Sequence, residues 1–209
     1  MRKIDKLNEP TSLAQFRINN LGLKYIDLAN GNENVRIDIR ESCVNEQFFL
    51  CAYCCDRITI TSSHNEHIIP QNSALGQNLT LDYNNIVASC QSIINCGHKK
   101  DNNLINLTPL MIECEDEIIF QLNGKMTHTT PRAQETINRL NLRNKGLENK
   151  RKQVIDIILF EYVEDLDNLN LEENYYLELI IEELSKVDNS GKLEAFSPVI
   201  INVLRQFLA

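Results

Sequence analysis

What the chain lacks narrows its class before any motif is considered. Its longest apolar runs, such as Val154 to Phe160, are broken by acids and fall far short of a membrane span. Met1-Arg2-Lys3 is not followed by the apolar core of a secretory signal, so a cytoplasmic location with no membrane partner is expected. There is no GxxxxGK[ST] phosphate loop, so any nucleotide control has to come from a partner. Positive charge is also short: 21 Lys and Arg against 29 Asp and Glu leave a net charge of -8, which argues against a protein that coats nucleic acid by bulk electrostatics. No internal repeat is visible. Seven cysteines is an odd number for a chain without an export signal, which disfavours a disulfide framework and leaves metal ligation as the better account of those that come in pairs.

What is present is an ordinary soluble composition over 209 residues, 43% hydrophobic and 24% charged, with its charge unevenly placed. Residues 131–153 hold seven basic side chains against two acids, and residues 154–186 hold ten acids against one lysine. The spacing predicts a helix starting at Glu9-Pro10-Thr11-Ser12 with Leu13, Phe16 and Leu21 on its apolar side, and a second carrying Val35, Ile39 and Cys43. Alternation over Arg57-Ile58-Thr59-Ile60-Thr61 predicts a half-buried strand, Gln71 to Tyr83 a loop, Ile86-Val87-Ala88 a second strand, and Gln91 to Asn103 a helix holding Ile93, Ile94 and His98. Ile118 to Leu122 runs as a strand into an Asn123-Gly124 turn, and Thr129 or Thr130 before Pro131 opens a helix. Further helices are expected from an Asn170/Glu173 capping box and from Ser197-Pro198, separated by the turn Asp188 to Gly191. The expected class is α+β, divided into an N-terminal helical docking segment (1–47), a central core (48–110) and a strand-like connection with a helical C-terminal region (111–209).

The central core carries the chemistry. Cys51-x2-Cys54 and Cys90-x5-Cys96 supply four thiolates, the set that closes a structural zinc, and a metal between them would pin the first strand's entrance to the last helix's start. Cys55 is an alternative to Cys54, and buried free thiols are the plain alternative for both pairs. Cys43, Cys55 and Cys114 otherwise read as small buried hydrophobes.

Between the pairs lie His64-Asn65-Glu66-His67 and Asn84-Asn85, with His98-Lys99-Lys100 beyond. Phosphodiester hydrolysis needs a base for water, a cation for the leaving oxygen and a device that positions both. His67 suits the base, being mostly neutral at cytoplasmic pH with an ordinary pKa of about 6.5. Glu66 is a hard donor for Mg2+ or Mn2+, and His98 offers a nitrogen from the facing helix. Asn85 can lock the loop that carries His67, and Lys99 or Lys100 can reach a phosphate. Arg139, Arg143 and Arg151, with Lys150, are expected to track the substrate backbone. His64 reads as exposed or supporting, and His128 as surface.

On these residues the chain resembles the HNH (ββα-metal) endonucleases, with Glu66-His67 at the first position, Asn85 at the second and His98 at the third. It looks most like the subgroup with CxYC, EHIxPQ and CGHKK, whose members are nuclease partners of an ATPase in Septu-type and retron-linked anti-phage systems of bacteria. Met1-Arg2-Lys3-Ile4 and the run from Thr136 to Leu142 followed by Arg151 are also similar to that subgroup. One departure is Gly97, which separates Cys96 from His98. The resemblance implies a metal-dependent endonuclease acting on DNA or RNA, with His67 as general base, one Mg2+ or Mn2+ on Glu66 and His98, a separate zinc, and an ATPase partner. Where a retron is present, its reverse transcriptase and DNA/RNA product join the partners. The competing readings are a zinc-stapled module that binds nucleic acid or protein without cutting, and a zinc hydrolase of another substrate.

Overall fold

In the computed structural model, which describes residues 1–162 and 173–208, two small antiparallel sheets are set among eight α-helices of the described residues. Pro10 precedes α1 (Thr11–Asn19), which buries Leu13 and Phe16, whereas Leu21 lies past its end and is 88% exposed. A 3-10 turn at Tyr25–Ala29 leads into α2 (Glu33–Glu46), whose Val35, Ile39 and Cys43 are buried at helical spacing.

The first strand is not where alternation places it. Residues 57–61 form no strand beyond a single Leu50–Arg57 bridge, and β1 is Ser63–His67. The physical reason lies in the hydroxyls: Ser62 Oγ accepts from Thr59 N at 2.8 Å and Thr59 Oγ1 accepts from Ser62 N at 3.1 Å, folding the segment into a turn. The histidines therefore lie within the strand rather than past its end. β1 pairs antiparallel with β2 (Ile86–Cys90), placing Ser63 opposite Cys90 and His67 opposite Ile86.

Gln47, just past α2, completes the free edge of β2. Its Nε2 donates to Ala88 O at 2.8 Å and its Oε1 accepts from Ala88 N at 2.7 Å, while Ala52 N donates to the same carbonyl at 3.1 Å. This amide sutures the helix and the first cysteine turn to the strand. The expected helix over 91–103 shrinks to α3 (Cys96–Lys100), and Ile93 and Ile94 are 80% and 55% exposed. Bringing Cys96 back to Cys90 requires an irregular path, with Asn95 extended and Cys96 at φ 60°.

Short α4 (Cys114–Glu117) precedes the second hairpin, β3 (Ile118–Phe120) and β4 (Met126–His128), closed at Gly124 with φ 77°. Thr130 caps α5 (Pro131–Arg139) by accepting from Ala133 N at 3.2 Å, with Pro131 at the first helical position. Then follow α6 (Lys145–Tyr162), α7 (Glu173–Leu184) and α8 (Ser197–Arg205). Asp188 Oδ1 accepts from Ser190 N and Lys192 N to form the expected turn. The Asn170/Glu173 capping box and part of the acidic segment lie outside the described residues. One core runs from Met1 and Ile4 through Ile86 to Leu204, with all three expected segments contributing.

Arg151 belongs to that core. It is 1% exposed, its Nε donates to Gly124 O at 2.8 Å and its Nη1 to Leu142 O at 3.1 Å, so it joins the second hairpin to α6 and is an internal cation rather than the exposed one expected to track a substrate backbone. Arg151→Ala leaves two buried carbonyls without donors and is expected to lower the unfolding free energy by about 3 kcal/mol in urea titration. A loss under about 0.5 kcal/mol, the range of an ordinary surface change, would refute this role.

Candidate active site beside a four-cysteine centre

Cys51, Cys54, Cys90 and Cys96 bring their sulfurs within 4.8 Å of one another, a cluster that can hold a tetrahedral metal ion such as zinc. The first pair sits on a tight turn in which Cys55 N donates to Cys51 O at 3.1 Å and Cys51 N to Asp56 O at 2.9 Å. Cys54, not Cys55, completes the cluster. The sulfurs receive donors: Asn95 Nδ2 at 3.0 Å from Cys96 Sγ and Cys90 N at 3.4 Å from Cys51 Sγ. Burial opposes ionisation of Cys51, yet hydrogen bonds from Cys54, Cys90 and Cys96 pull it well below an ordinary thiol, and the same contacts lift Cys54. The cluster thus holds one sulfur, Cys51, as a thiolate while Cys54 and Cys96 are pushed up, and a bound metal ion would draw the remaining protons off, as ligation requires. Burial pushes Cys43 and Cys114 up to about 12, which keeps them protonated and inert.

Glu66 and His67 occupy successive positions of β1 and point to opposite faces. Both nevertheless line one cleft of about 380 Å³ at the strand's end, walled also by Tyr25, Arg36, Asn65 and Asp101. His67 is 5% exposed; its ring meets Tyr25 edge-on at 4.8 Å and its Nε2–H donates to Thr80 O at 2.9 Å, which leaves Nδ1 as the basic nitrogen. Burial lowers its pKa below the ordinary imidazole value, against the opposing pull of the Thr80 carbonyl and Glu66, so it is neutral near pH 7.

The loop after His67 is held by buried Asn85. Its Oδ1 accepts from Ile69 N at 2.8 Å, its Nδ2 donates to Ile69 O at 3.1 Å and Leu79 O at 3.3 Å, and its carbonyl accepts from Ile68 N at 2.9 Å. The amide thus ties both ends of the loop, as its place in the sequence suggests.

On the other face, Glu66 meets α3. Lys100 Nζ lies 2.9 Å from its Oε1 and His64 Nε2 lies 3.5 Å from its Oε2. His64 stacks on His98 with ring centroids 4.3 Å apart, so a residue expected to be exposed or supporting stands between Glu66 and His98. The signal for His64 was its two-residue spacing from Glu66, which puts both on one strand face, but it becomes visible only with β1 in its true place. His98 Nε2 lies 3.2 Å from Gln91 Oε1, and among the described residues the four cysteines alone have all their ligand atoms within 4.8 Å. Gly97 explains the departure noted above, since a Cβ there would lie 2.7 Å from His64 Nε2 and 2.8 Å from Glu66 Oε2.

Most of the expected phosphate contacts are placed away from the cleft. Lys100 is 1% exposed and paired to Glu66, so it is an internal cation, whereas Lys99 is exposed. The basic helices border the cysteine cluster rather than the cleft: Cys96 N donates to Leu140 O at 2.9 Å, and Lys150 pairs with Asp56 at 2.7 Å. Arg139 pairs with Glu135 at 2.6 Å, and exposed Arg143 donates to His128 Nδ1 at 3.0 Å. Arg36, whose guanidinium lies 5.3 Å from the Tyr25 ring, is the cation that lines the cleft, and nothing local in the sequence marks it. No family model matches the chain, and no curated protein matches it.

Proposed function

We propose that the chain is a metal-dependent endonuclease of the HNH type that hydrolyses phosphodiester bonds at the Glu66–His67 cleft. The observation that carries this reading is a buried neutral imidazole and a carboxylate opening on one cleft, with the loop after His67 fixed by an asparagine. A binding module has no use for a base so held. Among the described residues no helix is long and apolar enough to cross a membrane.

His67 Nδ1 takes the proton of an attacking water, and the Thr80 carbonyl steadies the imidazolium that results. Glu66, with His64 and His98 beside it, would hold a Mg2+ or Mn2+ ion, which when bound neutralises charge on the phosphate and the leaving oxygen. Lys100 fixes the Oε1 side of Glu66 and turns Oε2 toward the imidazoles. Arg36 is suited to grip a neighbouring phosphate from the cleft wall. The four-cysteine centre, loaded with zinc, staples β2 and α3 to the first cysteine turn and so holds His64, Glu66 and His98 in register. DNA is the first substrate to test and RNA, tRNA included, the second, since these groups address phosphate rather than bases. The expected partner is an ATPase of an anti-phage system, with a retron reverse transcriptase and its product where one is encoded.

Metal analysis separates this reading from its rivals. One tightly held zinc with a second, weak site for Mn2+ is the expected result, and the second site should vanish in Glu66→Gln. Two tight zincs would favour a zinc hydrolase, and one zinc with no second site a binding module. Gly97→Ala provides an independent check, because the added methyl collides with His64 and Glu66 while its backbone needs no positive φ. It is expected to weaken Mn2+ binding about tenfold or more with the first zinc retained; unchanged Mn2+ affinity would count against these residues as ligands.

A further inference from the structure

Away from the cleft, the N-terminal segment, α4, β3, α7 and α8 line a partly open cavity of about 210 Å³. Arg2 and Arg205, from opposite ends of the chain, both line it, and among the described residues neither guanidinium has an ion-pair partner. Arg2 is steadied by lying 4.6 Å from the Phe48 ring centroid. Ser197, at the first position of α8, also lines the cavity; its residue is 0% exposed and its hydroxyl has no hydrogen-bond partner. A buried hydroxyl left unpaired is uncommon and asks for a ligand or water. Glu115 contributes one carboxylate, already accepting from Lys3 N at 2.8 Å, so the lining stays net positive in a chain of net charge -8. Phe120 and Ile201 supply apolar wall.

We propose that this cavity binds a small phosphomonoester with an apolar body. Two forked guanidiniums and a hydroxyl match the three terminal oxygens of a phosphate, and the apolar wall takes the rest of the molecule. The site is independent of the catalytic reading: it shares no residue with the Glu66–His67 cleft. Its walls are nonetheless tied to the cysteine turn, since Phe196 N donates to Cys55 O at 2.9 Å and Leu193 N to Phe48 O at 3.2 Å.

Isothermal titration of the purified chain in magnesium-free buffer, with phenyl phosphate, inorganic phosphate and benzoate, tests this. Saturable binding of phenyl phosphate is expected, with inorganic phosphate and benzoate each weaker. Arg205→Gln and Arg2→Gln should each weaken phenyl phosphate about tenfold or more, the usual size of a lost charge-assisted hydrogen bond. Ser197→Ala should weaken it by a smaller factor, and Glu66→Gln should leave it unchanged. Arg205 is exposed at the end of its helix, so its replacement preserves the fold, and melting of each variant confirms this. No saturable binding, affinity unchanged in both arginine variants, benzoate binding as tightly as phenyl phosphate, or loss in Glu66→Gln would each overturn the proposal.

Discussion

Replacing His67 with alanine is expected to reduce nucleic-acid cleavage by a factor of about 100 to 10,000, the share usually supplied by a general base. The zinc content should not change, because His67 lies on the opposite face of β1 from Glu66 and His64 and makes no contact with the cysteines. The side chain is 5% exposed and packs on Tyr25, so alanine leaves a hole and some stability is lost with it. His67→Gln fills that hole and can still donate to Thr80 O, but it has no basic nitrogen. Both variants should therefore be inactive while the glutamine form melts near the parent. A fully active His67→Gln would show that the imidazole is structural, and so would loss of zinc from both variants.

Removing a thiol from the four-cysteine centre should have the largest effect on the fold. A structural zinc contributes roughly 10–16 kcal/mol of binding free energy, which exceeds the usual net stability of a domain. Cys51→Ser is expected to give insoluble or protease-sensitive protein with less than one zinc per chain. Cys51 is 1% exposed and its backbone bonds to Asp56 and Cys55 shape the turn behind Tyr53, so no solvent can replace the lost ligand there. Cys90 is only partly buried and should be the milder case. Soluble, zinc-free and fully active Cys51→Ser protein would refute the staple, and the buried-thiol reading of both pairs would then stand.

The cysteine spacing, the second helix, the Asn123-Gly124 hairpin and the Thr130-Pro131 helix start were legible because each rests on local chemistry: a turn geometry, a cap or a helical stripe of apolar residues. The strand carrying the histidines was misplaced because β-branched alternation at 57–61 outweighed side-chain hydroxyl bonds that cannot be weighed without coordinates. That displacement also hid His64, whose contact with Glu66 follows from the true strand. Arg151 and Lys100 looked like surface cations because charge usually signals exposure; only the fold shows carbonyls waiting for the first and a carboxylate for the second. Tyr25 and Arg36 reach the cleft from far away in sequence, where no spacing rule applies.

The most direct measurement of the central claim is cleavage itself: the purified chain, alone and together with any ATPase that copurifies with it, incubated with labelled DNA and with total RNA, with added Mn2+ and after removal of weakly bound metal. Internal cuts in one of the two nucleic acids are expected, requiring added metal and absent from His67→Ala. Cuts that persist unchanged in His67→Ala, or none in either nucleic acid from folded, zinc-loaded protein with its partner present, would contradict it.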